Sequence, residues 1–207
     1  MFNTTEKRER RLGTRLFLKG TRCQSPKCVN ARRPHPPGVH GKDRQRPLSE
    51  FGQQLQEKQK FQWSYGLREA QLKRVFKEAI KNPAVTGDIF LSLLERRLDN
   101  VAYRLGFASS RAVGRQLVGH GHLFVNGRRV TIPSYRVHVG DVITIRPQSK
   151  EHAGLKNLSE TMKTYEPPTW LSLNKETLEG KVASMPKDFD TSFDVNMVVD
   201  YYSKVVK

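Results

Sequence analysis

Nothing in this chain approaches 18 consecutive apolar residues, so no segment has the length and character of a membrane-spanning helix. The opening MFNTTEKRER lacks the apolar core of a secretory signal, and a soluble cytoplasmic protein with no membrane partner is the expectation. Cysteine is nearly absent: Cys23 and Cys28 are the only two, too few for a disulfide framework. Carboxylates are scarce as well, with 20 Asp and Glu against 37 Lys and Arg, and across 101–150 the only one is Asp141, in a Gly-Asp turn. Catalysis has little to work with, because paired carboxylates, a Gly-rich phosphate loop and a nucleophile elbow are all missing. His120 and His122 bracket Gly121, but without an acidic partner they read as hydrogen-bonding groups at a helix-to-strand junction, not as an acid-base pair.

What is present is positive charge. The net charge of +17 on 207 residues favours a polyanionic partner. The basic excess is spread over 1–50, 51–100 and 101–150, and only 151–207 leans acidic. A basic tail on a neutral domain would look different, and charge reaching into the folded segments points to a protein embedded in its partner. The hydrophobic share of 36% is low, yet Leu, Val and Phe are grouped into periodic stretches that can form a core.

Residues 1–50 are rich in Arg, Pro and Gly (NARRPHPPGVHGKDRQRPLS) and show little periodicity beyond RLFLKG, so contact with a partner is expected to order them. From Ser49 the pattern changes. Ser49 can cap a helix carrying Phe51, Leu55 and Lys58, and LREAQLKRVFKEAI places Leu67, Ala70, Leu72, Val75, Phe76, Ala79 and Ile80 mostly on one face, ending near Asn82-Pro83. A third helix, GDIFLSLLERRLDNVAYRLG, is expected to start near Thr86 or Asp88, bury Phe90, Leu93, Leu94, Leu98, Val101 and Leu105, and stop at Gly106. Ser109 or Ser110 caps a fourth, through Leu117 and Val118 to the glycines around 119–121.

HLFVNGRRV predicts a hairpin, since Asn126-Gly127 supplies the two positive φ values of a type I′ turn. VHVGDVITI adds a turn at Gly140-Asp141 and an alternating strand. Residues 155–165 read as a helix, and WLSLNKETLEGKVASMP as two short strands around a Gly turn. The fold class is α+β: a mostly helical N-terminal part, then a compact helix-helix-hairpin RNA-binding module with a small mixed or antiparallel sheet. In that module Val113, Leu117, Val125, Val130 and Val142 are expected to point inward. Arg111 and Arg115, four apart, share a helix face, and Arg128 and Arg129 follow the turn on opposite faces. An arginine fork donates to two phosphate oxygens at once, and structured RNA is met mainly through shape, phosphates and 2′-hydroxyls.

LFLKG, RCQSPKC, RRPHPPGVHG, LQEKQK, YGLRE, VTGDIFLSLLERRLDNVAYRLGF, SRAVGRQLVGHGHLFVNGRRV, PSYRVHVGD and PPTWLSL together resemble, over nearly the whole chain, the bacterial family of the fourth ribosomal protein of the small subunit. The resemblance implies a structural, ribosome-bound protein that binds the 5′ domain of 16S rRNA early in assembly. It also implies a position where mRNA enters, beside the third and fifth small-subunit proteins, and an influence on translational accuracy. On the basic segments and matching motifs the rRNA contacts implied are Lys7, Arg8, Arg10, Arg11, Arg15, Lys19, Arg22, Arg32, Arg33, Lys58, Lys60, Arg68, Arg111, Arg115, His120, Arg128 and Arg129. Lys42, Arg44 and Arg46, in HGKDRQRP, are the candidates for contact with mRNA. The same module is appended to pseudouridine synthases and some tRNA synthetases, but 207 residues leave no room for a catalytic domain beside it, and no enzyme is expected.

Many relatives resemble this chain but carry four N-terminal cysteines, the second pair matching Cys23 and Cys28. Here Glu6 and Glu9 stand at the first pair. Structural zinc is held by four thiolate or imidazole donors, and two carboxylates with two thiolates is an unusual set, even with His35 and His40 nearby. No metal or other cofactor is expected. The domain reading is therefore a basic, extended, zinc-less region over 1–48, a helical domain over 49–93, the RNA-binding module over 94–150, and a C-terminal segment over 151–207 that packs on the helical domain.

Overall fold

The computed structural model describes residues 3–44, 46–149, 158, 162, 165–187 and 193–205. The chain divides into two compact units, Met1–Phe90 with Asp190–Lys207, and Leu91–Phe189.

The first unit begins with helix α1 (Asn3–Leu12), the short turns α2 (Thr21–Gln24) and α3 (Val29–Arg32), and a 3-10 turn at Val39–Lys42. Residues 3–44 thus form helical turns where an extended region was expected, and side chains reach their backbone over long separations. Arg10 Nε donates to the His35 carbonyl at 2.9 Å, and Gln56 Nε2 donates to the Leu12 carbonyl at 2.9 Å. Helices α4 (Glu50–Ser64) and α5 (Glu69–Ile80) follow, with Ser49 accepting from Gly52 N as the N-cap of α4. An aromatic cluster forms the core. Phe61, Phe76, Phe90 and Tyr202 are fully buried, with Phe76 against Phe90 edge-on at 6.0 Å and against Tyr202 at 4.8 Å. Tyr202 comes from the C-terminal helix α9 (Val195–Val205), which packs on α4. Of the face expected on α5, Leu72, Val75, Phe76 and Ala79 are buried, whereas Ala70 and Ile80 are exposed. Phe51 is also exposed, lying 5.6 Å from Tyr201.

The single helix expected from Thr86 to Leu105 is two. Helix α6 (Thr86–Glu95) stops, and α7 (Leu98–Arg104) starts after Arg97, whose backbone is extended (φ −68°, ψ 136°). Three interactions hold the break: Arg97 bridges Arg136, Leu98 N donates to Tyr135 O at 2.8 Å, and Asp99 N donates to Pro133 O at 3.2 Å. Helix periodicity continues through the site because both halves bury one face, so the sequence pattern did not register the stop. Gly106, at φ +80°, ends α7 as expected.

Helix α8 (Arg111–Gly119) is capped by Ser110, whose Oγ accepts from Val113 N. It packs on α7 through Gly114, where an added Cβ would stand 2.5 Å from the Asp99 carbonyl. With Gly114 facing α7, its neighbour Val113 turns outward, 36% exposed, contrary to its expected inward position; Val130 and Val142, also expected inward, are only partly buried. Strands β1 (Leu123–Val125), β2 (Arg128–Arg129), β3 (Val142–Ile145), β4 (Leu171–Asn174) and β5 (Glu179–Val182) form one antiparallel sheet in the order β2-β1-β3-β5-β4. Asn126 (φ 50°) and Gly127 (φ 76°) make the expected turn.

The C-terminal strands give two departures. β5 pairs with β3, so residues up to Phe189 belong to the second unit, and only Asp190–Lys207 join the first. The turn between β4 and β5 lies at 175–178, while Gly180 sits inside β5, paired with Ile143 and Leu173 and covered by Leu105. A side chain there would collide with Leu105, whose δ carbon lies 2.3 Å from the Cβ position. The helix expected over 155–165 lies mostly outside the described residues; Leu158 and Met162 are helical and buried with Leu98, Val101, Leu117, Leu123 and Ile143 in the core of this unit.

Candidate nucleic-acid interface

Two buried carboxylates organise the arginines of the second unit. Glu95, 2% exposed, accepts from Asn100 Nδ2 at 2.8 Å and from Arg104 at both oxygens, 3.0 Å each, with Arg111 Nη2 3.9 Å away. Asp99, 3% exposed, accepts from Arg97 Nε and Nη2 at 3.1 and 2.8 Å, with Arg115 Nη1 at 3.9 Å. Burying a carboxylate alone is costly, and hydrogen bonds from charged partners offset that cost. The pairs share a scaffold: Asn100, held by Glu95, accepts from Arg111 Nε at 2.7 Å, and the Arg111 guanidinium lies 4.9 Å from the Tyr103 ring centre. Arg111 and Arg115 do share a face of α8, as their spacing predicts, but that face meets these acids. Arg111 is mostly buried by its contacts, and Arg115, with a side chain 45% exposed, reaches the surface.

The hairpin carries the other pair. Arg128 lies opposite Val125 and Arg129 opposite Phe124, so they point to opposite faces, and both are exposed. Asn126 fastens the turn to the next strand, with its Nδ2 donating to Asp141 Oδ1 at 2.8 Å and its Oδ1 accepting from Val142 N at 2.9 Å. Arg129 Nη2 donates to the His120 carbonyl at 3.2 Å and lies over Gly121. His120 is exposed, and its ring centre is 5.9 Å from that of His122, which is bonded to Ser149 Oγ.

In the first unit Lys7, Arg8, Arg11, Arg15, Arg22, Arg32, Arg33, Lys42, Arg44, Arg46 and Arg68 are exposed. Lys7, Arg10, Arg32 and Arg33 meet around a cavity of about 270 Å³. Several other predicted contacts are spent inside the fold. Lys58 is 6% exposed, donates to Glu69 Oε2 at 2.7 Å and lies 5.1 Å from the Tyr201 ring centre, so its charge is compensated internally. Lys60 is bonded to Glu57, and Lys19 to Glu6 at 2.8 Å.

The residues at the N-terminus do not fit a zinc ion. Glu9, 3% exposed, is already used as an acceptor by Leu16 N, Leu18 N and Asn30 Nδ2 at 3.2, 3.1 and 2.9 Å. Glu6 is paired with Lys19 and lies 3.6 Å from Arg22. Burial pushes the Cys23 thiol upward, countered by a hydrogen bond from the Lys19 backbone and reinforced by nearby Glu9, Cys28 and Glu6, whereas a zinc ligand has to be a thiolate. Among the described residues no group of three or more His, Cys, Asp and Glu could hold a metal ion.

Sequence reasoning missed Glu95, Asp99, Asn100, Arg97 and Arg104 as the parts that aim Arg111 and Arg115. The available signal was charge at positions of a helix otherwise set for burial, in LERRLDNVAYRL. It also missed Phe124 and Arg146, which share the outer face of the sheet with Arg129.

Comparison with known sequences follows this division closely. A family described as ribosomal protein S4/S9 N-terminal domain matches residues 3–95, and the S4 domain matches residues 96–143. Proteins named small ribosomal subunit protein uS4 align over 197 residues, 94% of this chain and 94% of each relative. That of Halothermothrix orenii is 51% identical, that of Gloeobacter violaceus 52%, and that of Thermus thermophilus 49%.

Proposed function

The chain belongs to the small ribosomal subunit protein uS4 family of bacteria, a family of ribosomal structural proteins and not of enzymes, and from that premise we propose that it binds the 5′ domain of 16S rRNA and nucleates its assembly. The observation that supports this most is the second unit's arginine surface, where buried Glu95 and Asp99 hold the α7–α8 face and Arg115, Arg128 and Arg129 remain exposed. Pre-positioned guanidinium groups lose less side-chain freedom when they meet phosphates, which favours shape-directed binding to folded RNA. The cavity lined by Lys7, Arg10, Arg32 and Arg33, with Glu6 and Val29, adds a second, mainly basic surface on the first unit. No described helix is long and apolar enough to cross a membrane.

On this reading the protein is bound to the small subunit in the bacterial cytoplasm. It sits beside the third and fifth proteins where mRNA enters, with exposed Lys42, Arg44 and Arg46 toward the message and an influence on accuracy. The test is titration of the whole chain against a 16S 5′-domain fragment over a range of salt. Affinity should fall with a log-log slope of roughly −0.7 to −0.9 per phosphate contact, and a total slope shallower than about −2 would count against a broad electrostatic surface. Lys42, Arg44 and Arg46 changed together to Ala should slow translation through an mRNA hairpin while leaving an unstructured message unaffected. Equal rates on both templates would refute that part.

A further inference from the structure

The outer face of the sheet in the second unit carries an aromatic ring, Phe124, between Arg129 and Arg146, and phosphate contact accounts for the arginines but not for the ring. Alternation along β1 sends Leu123 and Val125 into the core and Phe124 to the opposite face, where it is half-buried. Arg129 stands directly across from Phe124 on β2, and Thr144 directly across on β3, so Arg146, two residues beyond Thr144, lies along the same face. Phe124, Arg129, Arg146, Pro147 and Gln148 line a cavity of about 360 Å³. This falls at the small end of the range for pockets that hold single small ligands, about 300–1,000 Å³.

Both arginines are anchored by hydrogen bonds. Arg129 donates to the His120 carbonyl and Arg146 to the Gln148 side chain, while Arg146 N donates to the His122 carbonyl at 2.9 Å. A guanidinium has five N–H donors, and these anchors leave others to offer. Among the described residues the cavity lining contains no carboxylate. An aromatic face between two cations and no anion matches a ligand that is flat at one end and anionic at the other. A protein segment would supply an anion only by chance of sequence, whereas every nucleotide supplies both.

We propose that this cavity is a stacking site for one unpaired nucleotide of the RNA partner, its base against Phe124 and Pro147 and its flanking phosphates on Arg129 and Arg146. The inference rests on the RNA-binding reading above. Duplex RNA hides its base faces, so the occupant has to be a bulged or loop nucleotide, the kind that proteins read by stacking on aromatic side chains.

The test uses the full chain and the 16S 5′-domain fragment. Phe124→Leu should weaken binding roughly five- to a hundredfold, the value of one base–aromatic stack, and Phe124→Tyr should stay near wild type. Melting of both variants close to wild type separates this loss from misfolding, because Phe124 lies outside the core. As a direct probe, adenosine 5′-monophosphate should shift the Phe124 ring protons upfield in NMR, and ribose 5-phosphate, which has no base, should not. If wild type fails to bind the fragment, the RNA reading itself falls. If wild type binds and Phe124→Leu binds equally well, or if the two phosphates act alike on the ring, only the stacking site is overturned. Unchanged RNA affinity with impaired joining of other proteins to reconstituted subunits would overturn it in favour of a protein partner.

Discussion

Arg104 and Glu95, on opposite sides of the break between α6 and α7, meet through two hydrogen bonds of 3.0 Å each, Nε to Oε2 and Nη2 to Oε1. The fork closes the corner made by Arg97, and the same carboxylate anchors Asn100 and through it Arg111. One buried acid thus ties the shape of the second unit to the aim of its arginines.

Replacing Glu95 with Ala removes the carboxylate that both Arg104 hydrogen bonds reach, in a buried setting, and leaves Asn100 only the carbonyl of residue 95. Breaking a buried pair from one side costs about 3–5 kcal/mol, and urea unfolding of the whole chain should show a loss of that order. A loss under about 1 kcal/mol would mean that water reaches the site and the scaffold does not depend on the pair.

The exposed and anchored arginines should behave differently. Arg128→Ala should change folding stability by no more than about 0.5 kcal/mol while weakening RNA binding and making the salt slope shallower by roughly 0.7–0.9. Arg111→Ala loses the bond to Asn100 and the contact with Tyr103, so it should also cost about 1.5–3 kcal/mol of stability. Paired melting and filter-binding measurements check both, and equal stability of the two variants would contradict the division.

Gly114 is the helix position where propensity and packing disagree. Alanine favours an interior helix position by about 1 kcal/mol over glycine, but its Cβ would stand 2.5 Å from the Asp99 carbonyl. Overpacking of this kind costs about 1–3 kcal/mol, and the obstacle is backbone, which yields little. Gly114→Ala should therefore destabilise, as read by denaturant midpoint; a more stable variant would show that α7 and α8 can separate freely.

At the N-terminus the expected outcome is independence from zinc. Purified protein should carry well under one equivalent, and chelators should leave its circular dichroism unchanged. Glu9→Ala, which orphans Leu16 N, Leu18 N and Asn30, should loosen residues 3–44 by about 1–3 kcal/mol for each buried donor left unsatisfied, visible as faster amide exchange. Close to one equivalent of zinc, lost on mutation of Cys23 or Cys28, would overturn this reading.

Tyr202 should resist alkaline titration. Burial raises its phenol well above the ordinary value, with the Glu69 carboxylate beside it and accepting its hydrogen bond at 3.0 Å adding to the shift. A raised folded-state pKa gives stability that is complete below the unfolded value, about 10, and is lost as pH rises through the folded one. Absorbance titration should show Tyr202 ionising only with unfolding of the first unit, a step that Tyr202→Phe removes. Smooth ionisation near pH 10 in the folded protein would contradict it.

Features that depend on a few neighbouring residues are legible in the amino-acid order alone. Ser49 and Ser110 cap their helices, Gly106 ends one, and Asn126-Gly127 makes the hairpin turn, because each answers to local dihedral limits and to donors three residues away. The apolar faces around Leu72, Phe76, Leu98 and Leu117 were legible for the same reason, through spacing along one helix. Which charges are spent inside depends on contacts between distant segments. Lys58 is buried because Glu69 and Tyr201 arrive beside it, Glu9 because Asn30 and the turn after α1 offer donors, and Arg97 breaks a helix because the segment 133–136 pairs there. Outer-face neighbours Phe124, Arg129 and Arg146 likewise come together only through strand register. A local rule reads backbone geometry over a turn or two, but the worth of a charge depends on whether a partner from a distant segment reaches it before water does.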